Sequence, residues 1–141
     1  MKTFLIGSDG IDYEAPSFLK ISKTTNDRLS KSICRKQKGS NHRRQAVLRK
    51  ARYMRHISNQ RADFQWKLAN KLVEKYDVIC FEDLNLRGMS SKFGKKIGEY
   101  GFGEFLSKIQ YLASKYGKEI IFVNRFFPSS KLCNCCGYKN D

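Results

Sequence analysis

Asp77-Val78-Ile79-Cys80-Phe81-Glu82-Asp83-Leu84-Asn85 is the stretch on which the reading of this chain turns. Its four consecutive apolar residues, Val78 to Phe81, follow a helical pattern and predict a strand buried on both faces, as in a parallel sheet. Glu82 comes directly after them, at the carboxyl end of that strand, where open α/β sheets place their ligands. Asp83 is next, and two such carboxylates can bind a hard cation through oxygen. Acid pairs at strand ends also serve as loop caps and salt-bridge partners, and spacing alone does not choose between these roles.

Outward from this strand, the pattern is helical on the amino-terminal side. Residues 18–37 hold a sparse apolar set (Leu19, Leu29, Ile33) among dense Lys and Arg, and Gly39 is the stop signal. Ser40 or Asn41 can cap a second helix that runs to about Tyr76. Its stripe of Val47, Ala51, Met54, Ile57, Phe64, Leu68 and Leu72 keeps three- and four-residue steps apart from a gap at Arg61, and predicts core packing. Two helices joined by a tight basic turn make a helical hairpin over about 17–76. Before it, Phe4-Leu5-Ile6, Ser8-Asp9-Gly10 and Ile11-Asp12-Tyr13-Glu14 read as strand, turn and returning strand. On the carboxyl side, residues 87–101 read as a loop. A third helix over about 102–116 turns Phe105, Ile109, Leu112, Ala113 and Tyr116 inward and ends at Gly117. Glu119-Ile120-Ile121-Phe122-Val123 is another buried strand. The order argues for an α/β layer. No internal repeat or low-complexity tract is present.

The chain has 141 residues, enough for one domain with a short appendage. With 40% hydrophobic residues and ten Phe it can build a core, which argues against wholesale disorder. No apolar run approaches the ~18–20 residues of a membrane span, and the first ten residues do not form a signal peptide. The expectation is a soluble, cytoplasmic, nucleoid-associated protein with no membrane partner. The 28 Lys+Arg against 13 Asp+Glu give a formal net charge of +15. That charge is concentrated: residues 19–67 hold fifteen Lys/Arg and two acids, Asp27 and Asp63. A field confined to one segment exceeds what solubility requires and points to a polyanion, of which nucleic acid is the common one. Arg35, Lys36, Lys38, Arg43, Arg44, Arg49, Lys50, Arg52 and Arg55 surround the hairpin turn and are the candidate phosphate contacts.

Of five cysteines, Cys133, Cys135 and Cys136 sit within four residues, while Cys34 and Cys80 are isolated. Cys80 lies in the apolar run and reads as a small hydrophobe. Cys133-Asn134-Cys135-Cys136-Gly137 contains a C-x-x-C followed by glycine, the shape of a zinc knuckle. Two thiolates, Cys133 and Cys136, make half of a tetrahedral site, so weak zinc binding is expected. A redox pair is the rival, although such a pair opens a helix; a cluster without function is the third reading.

Taken together, Phe81 to Asn85, Gly101-Phe102-Gly103-Glu104-Phe105, and Arg125-Phe126-Phe127-Pro128-Ser129-Ser130-Lys131-Leu132-Cys133 through Cys136-Gly137-Tyr138 resemble the TnpB (OrfB) proteins of insertion sequences. The basic hairpin and Asn59-Gln60-Arg61-Ala62-Asp63 resemble that family too, and the likeness covers essentially the whole chain. It implies a RuvC-like nuclease of RNase H fold that uses a guide RNA to cut DNA with magnesium, with a zinc ribbon near its last catalytic acid. Of the family's three acids, the resemblance carries over only Glu82. The Asp of a first-strand Gly-Ile-Asp-Leu-Gly-like motif has no counterpart, Asp9 and Asp12 lie in the hairpin expected to follow it, and Asp141 precedes any second C-x-x-C. The resemblance therefore describes an internal piece: an incomplete RuvC/RNase H-like domain over 1–127 and the first half of a zinc ribbon over 128–141. Two-metal hydrolysis needs carboxylates from different strands holding ions ~3.5–4 Å apart, so the expectation is a chain that binds DNA and guide-type RNA without cutting. Two alternatives stay open: a free-standing, non-catalytic basic DNA/RNA-binding protein regulating the parent element, and a ribosomal-type RNA binder. The latter fits the charge but not the Glu-Asp-Leu strand.

Overall fold

Ser8-Asp9-Gly10 turns the chain tightly, with Gly10 at φ 74°, and pairs β1 (Thr3–Ile6) antiparallel with β2 (Asp12–Glu14). This comes from a computed structural model that describes residues 3–86, 88, 89, 94, 98, 100–127, 131–133 and 135–139. The helical hairpin follows: α1 (Phe18–Cys34), a turn with Gly39 at φ 83°, and α2 (Asn41–Lys75). Ser40 caps α2 as its residue type predicts, its Oγ accepting from the Arg43 N–H at 3.2 Å. Next come β3 (Val78–Glu82), α3 (Phe102–Tyr116) and β4 (Glu119–Val123). Gly117 closes α3 in the left-handed conformation at φ 66° and donates to the Ala113 carbonyl, the glycine stop read from the sequence.

The β3–β4 pair is parallel, with Val78 opposite Glu119 and Glu82 opposite Val123. Ion pairs clamp it at both ends, Asp77 with Lys118 at the start and Asp83 with Arg125 at the finish. Strands and helices share one core. Phe4 and Tyr13 from the hairpin and Ile79 from β3 pack with Leu68, Ala69, Leu72 and Val73 of α2 and with Phe105, Ile109 and Leu112 of α3. Phe4 is its aromatic hub, stacked on Phe102 at 4.9 Å between ring centroids and edge-on to Phe64, Tyr100 and Phe105. The architecture is mixed α/β.

Four expectations are corrected. β3 and β4 are covered on one face only, for Val78, Cys80 and Ile121 on the other face are exposed while Ile79 is buried. A strand pair with helices on one side has no second layer to dry its other face. The α2 stripe is core only in its second half; Val47, Ala51 and Met54 are exposed because only α1 lies beside them. Tyr116 also points outward, at the last turn of α3, past the core. Finally, Gly88, Met89, Gly94, Gly98 and Tyr100, the residues described between 87 and 100, have helical backbone within the 87–101 span where a loop was expected. Asn85 accepts the Gly88 N–H on its side-chain oxygen at 3.0 Å, an N-cap bond that its residue type favours but that the surrounding Gly, Ser and Lys obscure in the sequence. The boundary set at 128, and Asp141, lie outside the described residues.

Candidate functional site

The basic residues at the hairpin turn divide by what they already touch. Arg43 donates through Nη1 to the carbonyls of Ile33 (3.0 Å) and Lys36 (3.2 Å), so its guanidinium satisfies the open carbonyl end of α1. Lys50 donates to Ser30 Oγ at 2.8 Å, tying the two helices together. Arg35, Lys38, Arg44, Arg49, Arg52 and Arg55 are exposed, and none has an acid partner among the described residues; Lys36 is half-buried. Exposed α-helical arginines with no counter-ion are free to meet phosphates, which they bind in bidentate fashion. A basic surface continues along α1, where Lys23, Arg28 and Lys31, not singled out from the sequence, line one shallow groove with Arg35, Lys36 and Asp27.

Glu82 ends β3 and is exposed. Asp83 beside it is not available as a partner ligand in the same sense, because Arg125 holds its Oδ2 through Nε (3.1 Å) and Nη2 (2.6 Å). That two-donor grip on one carboxylate oxygen joins the ends of β3 and β4, giving Asp83 the salt-bridge role that spacing left open. Asp9, in the hairpin turn, is likewise committed. Its carboxylate takes Lys75 Nζ at 2.6 Å and the Tyr76 hydroxyl, and receives the Ile11 N–H at 3.1 Å. The Lys75 and Tyr76 hydrogen bonds hold its carboxyl far below the usual range. Among the described residues no three His, Cys, Asp or Glu side chains come together as a metal-holding group. A magnesium pair is therefore a poor fit to the acids present.

At the other end, Cys133 and Cys136 lie on a miniature hairpin. The Cys133 N–H donates to the Tyr138 carbonyl at 2.8 Å, the Gly137 N–H returns to the Cys133 carbonyl at 3.0 Å, and Leu132 bridges Lys139 antiparallel. Gly137 sits at φ 71°, which only glycine adopts without cost. The backbone N–H groups of Cys136 and Cys135 approach the Cys133 sulfur and hold its thiol below the ordinary value. Thiolates on a glycine-closed turn fit half of a zinc site. Cys34 and Cys80 are exposed and lie apart from any such group among the described residues.

Two of the motifs quoted for the resemblance meet each other. Arg61 of Asn59–Asp63 donates through Nη2 to both carboxylate oxygens of Glu104 (3.0 and 3.2 Å) and through Nη1 to the Gly98 carbonyl. One turn on, Gln65 is 0% exposed; its Nε2 donates to the Tyr100 and Gly101 carbonyls at 2.8 and 3.0 Å, and its Oε1 accepts from Lys108. Burial pushes the Lys108 ammonium down. Gly101 closes this junction at φ 60°, and a Cβ there would lie 3.2 Å from Gln65 Nε2 and 3.3 Å from Arg61 Nε. The gap in the hydrophobic stripe at Arg61 was a sequence sign of this polar latch, which ties α2 to Gly98, Tyr100, Gly101 and the start of α3.

Residues 1–92 match the family described as "Probable transposase" (OrfB), and residues 102–141 match the "Cas12f1-like, TNB domain" family. A Streptomyces pristinaespiralis protein named "Putative RNA-guided DNA endonuclease" is 35% identical over 78% of this chain and 28% of its own length. "TnpB-like protein L79" of Acanthamoeba polyphaga mimivirus is 27% identical over 82% of the chain and 24% of its own. A Mycobacterium tuberculosis protein, "Putative RNA-guided DNA endonuclease Rv2885c", is 24% identical over 81% and 26%. The chain thus spans about a quarter of the length of these relatives. Among the described residues no helix is long and apolar enough to cross a membrane. With the OrfB match running through the hairpin and the Glu82 strand and the second match beginning at α3, the chain belongs to the OrfB, or TnpB-like, transposase family.

Proposed function

We propose that this chain is a nucleic-acid-gripping portion of a RuvC-like, RNA-guided DNA nuclease, holding DNA and guide-type RNA on the α1–α2 hairpin and not cutting by itself. The observation that carries this reading is the set of exposed arginines, Arg44, Arg49, Arg52 and Arg55, along the first half of α2, with no acid partner among the described residues. The names borne by the relatives agree with it, as does the mixed α/β arrangement that ends β3 at Glu82.

Binding should be electrostatic and indifferent to sequence. With about six phosphates engaged, log K should fall with log salt at a slope near −5 for duplex DNA. A slope near zero overturns the proposal.

Glu82 is the one residue here with the character of a catalytic acid. With Asp83 held by Arg125 and Asp9 by Lys75 and Tyr76, the described residues gather no group of acids around it to hold a magnesium pair. The chain should leave DNA intact with guide RNA and millimolar magnesium, and Glu82→Gln should leave binding unchanged. Cleavage abolished by Glu82→Gln would sink the non-catalytic reading while sparing the binding one. Cys133 and Cys136 would hold zinc as half of a ribbon, so purified protein should carry less than one zinc per chain, measured by atomic emission.

A further inference from the structure

The α1–α2 hairpin has two outer sides, and its cations divide between them. The helices meet along Arg43, Lys50 and Tyr53 of α2 and Ser22, Ser30 and Ile33 of α1. Arg43 Nη1 reaches the Ile33 carbonyl at 3.0 Å, Lys50 Nζ the Ser30 Oγ at 2.8 Å and the Tyr53 hydroxyl the Ser22 carbonyl at 3.5 Å. Burial follows the same line. Arg43, Ala46, Lys50, Tyr53 and Ile57, three or four residues apart, are the less exposed positions in the first half of α2, and Ser22 is buried on α1. Arg43 and Lys50 are thus committed to joining the helices.

Helical periodicity then fixes where the remaining cations lie. Arg44, Arg52 and Arg55 stand about 140–160° around α2 from the row that meets α1, with Arg49 on the flank. Arg28, Lys31 and Arg35 stand about 150–170° around α1 from the row that meets α2, with Lys23 on the flank. All eight are exposed, and none has an acid partner among the described residues. Two packed helices put these faces about 20 Å apart, looking away from each other. A straight backbone lying along one face cannot reach the other.

The α1 face is built as a track. Lys23, Arg28, Lys31, Arg35 and Lys36 line its groove, where Asp27 is the only acid. From Lys23 to Lys36 the cations span about 20 Å of helix, a row of charge rather than a point. Such a row matches a phosphodiester backbone, whose charges repeat along its length, better than it matches a single phosphate. We infer that the α1 groove binds a second nucleic-acid backbone, separate from the one on the arginine face of α2, so that one chain holds two segments on opposite sides of the hairpin. This inference rests on the nucleic-acid grip proposed above and adds to it a second face and a stoichiometry of two.

The experiment uses the full chain and two DNA duplexes, each about one helical turn long, too short to wrap the hairpin. One duplex is biotinylated and immobilised; the other is fluorescent and free. The chain should capture the fluorescent duplex on the immobilised one, and sedimentation should give two duplexes on one chain. Changing Lys23, Arg28, Lys31 and Arg35 together to Gln should reduce capture about tenfold or more while one duplex still binds and the unfolding midpoint holds. Changing Lys67, Lys71, Lys115 and Lys131 to Gln removes equal charge outside both faces and should leave capture intact. One duplex per unaltered chain, with no capture, overturns the second face and spares the grip on α2. Equal loss of capture in the charge-matched variant overturns the inference, because net charge then suffices. Capture by complexes holding two chains also overturns it, assigning the bridge to self-association. A chain that binds no duplex overturns the proposed function and this inference together.

Discussion

Along α2, Val47, Ala51 and Met54 in the first half and Leu68 and Leu72 in the second obey the same three- and four-residue spacing, yet Val47 is 46% exposed and Leu72 4%. The two halves differ in what lies beside them. The second half is covered by α3 and by strands from both strand pairs, and it buries Leu68, Ala69, Leu72 and Val73 together. The first half has only α1 for company. That seam is largely polar, joined by Arg43 on the carbonyls of Ile33 and Lys36, Lys50 on Ser30 and the Tyr53 hydroxyl near the Ser22 carbonyl. One helix thus serves as core wall at one end and as a charged arm at the other. The lesson is that periodicity reports which residues share a face, while burial depends on whether another layer covers that face.

The sharpest way to break this comparison is to truncate one side chain in each half. Leu72→Ala should cost about 2–5 kcal/mol in urea unfolding through lost transfer energy and a cavity, whereas Val47→Ala should stay within about 0.5 kcal/mol. Equal losses would show that the arm is packed. The converse experiment removes charge: changing Arg44, Arg49, Arg52 and Arg55 together to Ala should reduce the salt slope of DNA binding by about 3–4 with an unchanged unfolding midpoint. The four charges on the core side, Lys67, Lys71, Lys75 and Lys108, serve as the contrast. Lys75 and Lys108 have intramolecular partners, so neutralising that set should shift stability more than binding.

A smaller effect is expected at the latch between the halves. Gly101→Ala places a Cβ at positive φ and within 3.2 Å of Gln65 Nε2, and should cost about 1–2 kcal/mol. Arg61→Ala should loosen the same junction, visible as faster hydrogen exchange at the start of α3. The smallest effect concerns acid. The folded-state carboxyl of Asp9 lies below its unfolded value of about 3.9, so its contribution is present above that value and is lost as pH falls through the folded one. Lys75 is raised by the same bond, so its share is present below its unfolded value of about 10.4 and is lost only as pH rises through the higher folded value. Asp9→Asn should therefore flatten the stability curve below about pH 4 and leave the slope between pH 5 and 9 unaltered.

Much of this architecture is legible from residues close together in the chain. Asp9-Gly10 and Gly39 announce turns, Ser40 a cap, Gly117 a stop and Val78–Phe81 a strand, because each depends on local dihedrals, capping bonds and periodicity. The concentration of Lys and Arg in residues 19–67 needs no fold to be recognised, and the knuckle turn at Cys133–Gly137 is set by its own glycine. Other features are invisible until distant segments meet. Asp83 could not be told from a metal ligand until Arg125, 42 positions on, was found gripping it. Arg61 and Glu104, 43 apart, look like ordinary surface charges, and Gln65 like a polar surface residue rather than a fully buried one. Which half of the α2 stripe is dry and which face of β3 is covered are likewise properties of the packed layers. Local sequence sets backbone propensity within a few residues, but desolvation, ion pairing and sheet edges depend on which elements of the chain are brought alongside, and only the tertiary structure decides that.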